Sequence, residues 1–432
     1  MFSSNLLATV SLLVMAVQAT PLDESWLQPR DSPVHALFAK RAPSPDDPNF
    51  ASNYPSPGAT PGTDKLPQAW VDKLNSITLP NVSVSNPNNG YPTYADGETP
   101  SDQHICSFTY ECTTDEDLYN APSGIFALSF DDGPTDASPD LYSFLATNNI
   151  STAATHFMIG GNIVYDPKGM QAAVNAGGHI AVHTWSHQYT TTLSNEGVLG
   201  ELGWTMQIIS DLNGGRIPRF WRPPYGDVDN RVRTIAKQVF GLETVVWNTD
   251  SADWAIGSDP AYTHDGVVAQ VNQWLSGSKD NGLILLEHES KDTTVAVFKS
   301  ILPSILSNGW TIKNVADAFN MDWYVNSGKT NTEAITTMSV GSGPNTLAVM
   351  NSTSSQQSSS SSASGSASAS TTSAAASASA STTSAGASRS SSTGTNTAAA
   401  AAQSSGKASS GSQLVIPGYI VAGLGLFTAI LL

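Results

Sequence analysis

Cysteine is almost absent. The 432-residue chain holds two, Cys106 and Cys112, and two thiols cannot build a four-thiolate metal site. In an oxidising compartment a pair this close is expected to close a small-loop disulfide. Basic residues are also scarce, 19 Lys and Arg against 36 Asp and Glu, for a formal net charge of −17. That balance argues against a nucleic-acid partner and leaves a neutral or cationic one open. Internal repeats are lacking. Long apolar runs are confined to the two ends.

Residues 1–19 have a short polar start without Lys or Arg, then LLATVSLLVMAV, then Val17-Gln18-Ala19. This is the pattern of a secretory signal cleaved after Ala19. The run is too short to read as a membrane span. Lys40-Arg41 in a Pro-rich stretch suggests a removable pro-segment over 20–41. Residues 352–413 are mostly Ser, Ala, Thr and Gly with almost no large apolar side chain. They cannot offset the entropy of ordering, so a disordered, O-glycosylated stalk is expected. The apolar tail 414–432 follows with no basic residue behind it, as in a GPI-anchor signal, with Ser404, Ser405, Gly406, Ser409, Ser410 and Gly411 as attachment candidates. A tail-anchored transmembrane helix is the competing reading. Asn81, Asn149 and Asn351 lie in N-glycosylation sequons. Together these features predict a eukaryotic, fungal-type surface protein, GPI-anchored at the plasma membrane and cell wall.

Residues 42–120 are rich in Pro, Asn, Ser and Gly early on, without sustained periodicity, and are expected to form an extended segment with little regular structure. Residues 121–320 alternate short apolar runs with helix-like stretches. IFALSF, ATHFMI, HIAVH, ETVVWN and LILLEH predict strands; 138–148, 168–175, 198–213, 230–238, 262–275 and 293–308 predict helices. Alternation of this kind argues for parallel βαβ units, and about 200 residues suits one barrel-like α/β domain. The pattern alone also admits a doubly wound open sheet. Residues 321–351 are read as a C-terminal extension.

In either architecture chemistry sits at the C-terminal ends of strands. The first strand ends in Asp131-Asp132, the third in HTWSH with His183 and His187, and LILLEH in His288. Between them come Arg222, Pro224 and Tyr225 of FWRPPYG, and Asp250, Asp253 and Trp254 of TDSADW. One carboxylate and two imidazoles make a common three-ligand set for a divalent metal, with a position left for water. Taken singly each residue has a plain structural account: Asp131-Asp132-Gly133-Pro134 is also turn chemistry, Arg222 a surface ion pair, Trp254 a core residue. Their coincidence at successive strand ends is the signal.

In these residues the chain resembles the polysaccharide deacetylases of carbohydrate esterase family four, which include fungal chitin deacetylases. The resemblance covers residues 121–320 and rests on five ordered motifs: Ser129-Phe130-Asp131-Asp132-Gly133-Pro134, HTWSH, Arg222-Pro223-Pro224-Tyr225, Asp250-Ser251-Ala252-Asp253-Trp254, and Ile284-Leu285-Leu286-Glu287-His288. Ser129 stands for Thr and Ile284 for Leu, and His156 stands where many relatives have an aromatic. The resemblance implies a distorted, incomplete (β/α) barrel. It also implies a metal, Zn2+ or Co2+, held by Asp132, His183 and His187, with Asp131 as base and His288 as acid. Arg222 would orient Asp131; Asp250 and Asp253 are candidates to hold Arg222 or His288. The Tyr225 N–H would stabilise the oxyanion, while Trp254 and Leu286 would wall the acetyl pocket. The implied substrate is chitin or its oligosaccharides among cell-wall glycans, acted on by a monomer. An O-deacetylase of acetylated xylan and a catalytically silent wall-binding protein are the alternatives.

Overall fold

The computed structural model describes residues 43–88 and 91–342. The expected signal, pro-segment, stalk and anchor tail, with Asn351 and the candidate attachment residues, lie outside the described residues. Among those described, no helix is long and apolar enough to cross a membrane.

Nine short strands form among the described residues: β1 (Ile125–Ala127), β2 (Ser129–Gly133), β3 (Thr155–Met158), β4 (His179–Val182), β5 (Phe220–Trp221), β6 (Glu243–Thr244), β7 (Thr249–Asp250), β8 (Leu285–Leu286) and β9 (Thr311–Lys313). All pair in parallel. β2 to β6 make one sheet in chain order, while β7–β8 and β1–β9 make two smaller ones. Single bridges connect them, Asp131 to His288 and Phe126 to Leu283. The α/β class expected from the alternation is therefore what forms. In place of one continuous barrel ladder there are three parallel sheets touching at bridges. The expected strand ETVVWN is split because its backbone changes partner: Val245 N–H donates to Trp221 O at 2.9 Å, whereas Asn248 N–H donates to Ile284 O at 3.2 Å.

The period-2 alternation of strands sorts the core into two clusters. Phe126, Leu128, Phe130, Ile180, Val182, Trp221 and Leu285 face the helices. Ala127, Phe157, Ala181, Phe220, Val245 and Ile284 face one another on the inner side. The inner phase falls on Asp131 within β2 and, continued past the ends of β4, β5 and β8, on His183, Arg222 and His288. This is why residues so far apart in sequence converge.

The helices cover the outer face, except the last, whose Val315, Ala316 and Ala318 join the inner cluster. They are α1 (Gln68–Ser76), α2 (Ser138–Thr147), α3 (Gly160–Tyr165), α4 (Pro167–Asn175), α5 (Asn195–Leu212), α6 (Asn230–Phe240), α7 (His264–Leu275), α8 (Asp292–Ser307) and α9 (Val315–Ala318). Side-chain caps start several of them: Ser194 accepts from Gly197 N–H and Asp229 from Val232 N–H.

The N-terminal segment corrects an expectation. It carries α1, whose Trp70 is fully buried against Trp204 and Phe240, both at 5.6 Å between ring centroids. A Cβ at Gly203 of α5 would lie 2.4 Å from the Trp70 ring, so glycine there admits the indole. Trp70 Nε1 donates to Val340 O at 2.9 Å. The segment is thus part of the domain's core. Packing by one large side chain supplies the stability that its composition withholds from an isolated helix.

Candidate active site

The site is built on the bulge at the end of β2. Asp131 pairs with Phe157 and Gly133 with Met158, leaving Asp132 as an extra residue in the ladder, with φ +75°. A regular strand would send adjacent side chains to opposite faces; the bulge turns Asp132 toward the same end as Asp131. The reading of a turn that follows the strand is corrected here, because both aspartates lie inside β2. Thr184, His187, Tyr225 and Ala252 also have positive φ, so backbone strain gathers at these strand ends, a common trait of functional sites.

Asp132 Oδ1 lies 3.5 Å from His183 Nε2 and 3.3 Å from His187 Nε2. The three residues offer ligand atoms within 4.8 Å of one another. Burial alone would raise the Asp132 pKa, but the two imidazoles beside it hold it well below the usual carboxylate range. Asp132 Oδ1 is a buried atom without a hydrogen-bond partner. His183 Nδ1 is bonded to Arg222 O at 2.8 Å, which turns its Nε2 into the cluster. An orphaned carboxylate oxygen facing two imidazole nitrogens fits a divalent cation.

Asp131 sits beside this cluster, its Oδ2 3.9 Å from His183 Nε2. Arg222 Nη1 donates to Asp131 Oδ1 at 2.7 Å, and Nη2 donates to Ser129 Oγ at 3.0 Å. The guanidinium lies 4.3 Å over the Phe157 ring. Burial pulls Arg222 below its ordinary pKa while the Asp131 carboxylate pushes back.

On the opposite side, His288 Nδ1 meets Asp253 Oδ1 at 2.6 Å, and the His288 N–H donates to Asp253 Oδ2 at 2.9 Å. Burial disfavours the imidazolium, but Asp253 foremost, with Asp132 and Asp131, pushes the His288 pKa up to about 10. Of the two candidate aspartates, Asp253 therefore partners His288. Asp250 holds neither Arg222 nor His288 by hydrogen bond: its Oδ1 accepts the Ala252 N–H at 2.8 Å and shapes its own turn. Leu286 is buried, while Trp254 and Tyr225 are 47% and 52% exposed. The expected Cys106–Cys112 disulfide is present. Asn81 and Asn149 are exposed, as their sequons require.

Several supporting residues escaped the sequence reading. Glu201 of α5 accepts the Trp185 N–H at 2.7 Å, the Ser186 N–H at 2.8 Å and the Ser186 hydroxyl at 2.5 Å, fixing the loop between the two histidines. Its one signal was an acid within the apolar run VLGELGW. Asn162 donates to Asp132 O at 2.8 Å. His156, already marked in the sequence as standing where many relatives have an aromatic, is buried, 3.4 Å from Glu289 Oε1, and Glu289 N–H donates to Asp131 O at 3.0 Å. Glu287 is buried with both carboxyl oxygens unpartnered. Burial, then Asp253, push its pKa well above the usual range, against the opposing pull of His288 and Arg222.

A parallel α/β frame with a three-donor cluster, a buried Arg–Asp pair and a His–Asp pair at one end is the layout of a hydrolytic enzyme. Residues 119–245 match the family model described as polysaccharide deacetylase. Chitin deacetylase 3 of Cryptococcus neoformans var. neoformans serotype D is 58% identical over 336 residues, covering 77% of this chain and 82% of that protein. Chitin deacetylase of Amylomyces rouxii is 34% identical over 289 residues, 63% of this chain and 67% of that one. The solved chitin deacetylase of Colletotrichum lindemuthianum is 23% identical, with a TM-score of 0.43 over 47% of this chain and 90% of that one. The chain belongs to the polysaccharide deacetylase family.

Proposed function

We propose that the protein hydrolyses the N-acetyl groups of N-acetylglucosamine units in chitin, releasing acetate and leaving chitosan, at the fungal cell surface and wall, where a GPI anchor holds it. The observation that carries this reading is the placement of Asp131, fixed by Arg222, between the Asp132–His183–His187 cluster and the His288–Asp253 pair.

Asp132 Oδ1 and the Nε2 atoms of His183 and His187 would hold the cation. A divalent ion bound there, Zn2+ or Co2+, acidifies water and polarises a carbonyl. Asp131 takes the water proton on the carboxylate oxygen turned to the cluster, while its other oxygen is held by Arg222. The backbone N–H of Tyr225 faces the oxygen of the acetamide as it gains charge. His288, protonated through Asp253, gives its proton to the departing amine nitrogen, which cannot leave as an anion. Trp254 and Leu286 wall the acetyl methyl. The acidic surface does not repel a cationic product.

The test is acetate release from chitin oligomers, acetylxylan and peptidoglycan, alongside metal content and an Asp131→Asn control. The expected result is release from chitin oligomers, lost in Asp131→Asn with its metal retained. Release from acetylxylan alone would make the protein an O-deacetylase, and no release from any substrate would leave a wall-binding role.

A further inference from the structure

Two tyrosines outside the three-donor cluster, Tyr225 and Tyr91, are half-exposed. Tyr225 lies edge-on to His187 at 4.6 Å and stacks on Tyr189 at 4.1 Å with the rings 13° from parallel. Tyr91, 45% exposed, packs edge-on against Tyr110 at 5.4 Å. It belongs to the N-terminal segment, which the deacetylation chemistry does not use.

That segment is fastened beside Tyr225 by the disulfide loop. Tyr91 Oη donates to Thr109 O at 3.0 Å, and Tyr110 Oη to Pro92 O at 2.9 Å. Phe108 N–H donates to Val228 O at 3.0 Å. A Cβ at Gly226 would lie 2.8 Å from the Phe108 ring, so the two turns are in close contact. One buried carboxylate joins the strips that carry Tyr225, Tyr189 and Tyr110, and Tyr91 is bonded to the last of these. Asp227 accepts from Thr109 Oγ1 at 3.2 Å, from Thr191 N–H at 2.8 Å and from Thr191 Oγ1 at 2.9 Å. The tyrosines are therefore held in place before any ligand arrives, which lowers the ordering cost of binding. Burial first, with Tyr225, Asp227 and Tyr91 nearby, pushes Tyr189 up to about 12, and burial followed by Asp132 raises Tyr225.

We infer that the Tyr225–Tyr189–Tyr91 surface is a sugar-stacking subsite that binds a neutral N-acetylhexosamine ring of the same glycan, beyond the unit whose acetyl group is removed. The inference rests on the glycan-deacetylase reading above. Aromatic faces take the apolar C–H face of a pyranose, and the phenol hydroxyls serve its polar edge. The surface is continuous with the catalytic cluster through His187, so a chain bound in the cleft reaches it without leaving the protein. The N-terminal segment thereby sets how long a substrate is preferred.

The test compares Tyr91→Ala with wild type in kcat/KM for acetate release from chitin oligomers, from the shortest accepted up to the hexamer. Loss of one stacking contact is expected to lower kcat/KM on long oligomers about tenfold, through KM, with the shortest unchanged. Tyr91→Phe, which keeps the ring, is expected to keep the length preference. An equal loss at every length, or no loss at any, overturns the inference. Wild type silent on every chitin oligomer overturns the functional reading itself, and the subsite with it.

Discussion

His288 owes its charge to neighbours that outweigh burial. Asp253 is the principal one, and the imidazole pKa stands near 10 against 6.5 for an unperturbed histidine. A pKa raised on folding stabilises the fold fully below the unfolded value and ceases to do so as pH rises through the folded one. The same proton is the one His288 gives to the amine, so activity falls as pH climbs through that range. Asp253→Asn removes the largest raising cause, and the alkaline limb of kcat/KM is expected to move to lower pH. A limb that stays in place in a pH–rate profile would sink the acid assignment. Asp250 and Asp253 are both legible in the sequence as candidates, but only the structure separates their partners. Sequence offered no means to choose between Arg222 and His288 for Asp253, because the choice depends on which strands are neighbours across the inner face.

Elements differ in how far they could be read ahead. The helices near 138–148, 230–238, 262–275 and 293–308 are legible because apolar residues recur at helical spacing and caps such as Asp229 mark their starts. β5 and β9 are not, since strands of two or three residues give no periodicity to count. The β2 bulge is also hidden, because Asp132 takes a positive φ that only the tertiary site sustains. The fate of Glu201 follows from α5 as a unit: it is buried on nearly every side, so its one fully buried acid must find donors, and it finds them in the loop between His183 and His187. Burial raises the Glu201 pKa against the opposing pull of those donors. Glu201→Gln keeps the shape but loses the matched acceptors. It is expected to weaken metal retention by about tenfold or more, as disturbed outer partners of metal ligands do, measured by chelator competition. Unchanged affinity would reduce Glu201 to a packing role.

Across the whole molecule, the N-terminal segment and the catalytic domain act as one folded body. Trp70 joins α1, α5, α6 and the backbone at Val340, so four distant stretches of chain meet at one indole. Trp70→Ala would leave a cavity there, and its cost is expected to be about 3–5 kcal/mol. Denaturant unfolding followed by fluorescence measures it; a cost under about 1 kcal/mol would mean the segment is only loosely applied. Composition hid this role because Pro, Asn and Ser dominate around a single decisive tryptophan.

The bulge in β2 has a further meaning. Asp131 and Gly133 stand opposite Phe157 and Met158, consecutive residues of β3, although Asp132 lies between them. Asp132 is in effect an insertion into an otherwise ordinary strand. Loss of that one codon would leave a chain able to close the same ladder while lacking a member of the cation cluster. The boundary between an active deacetylase and a folded, inert relative can thus be a single-residue change of length, with no alteration elsewhere in the domain.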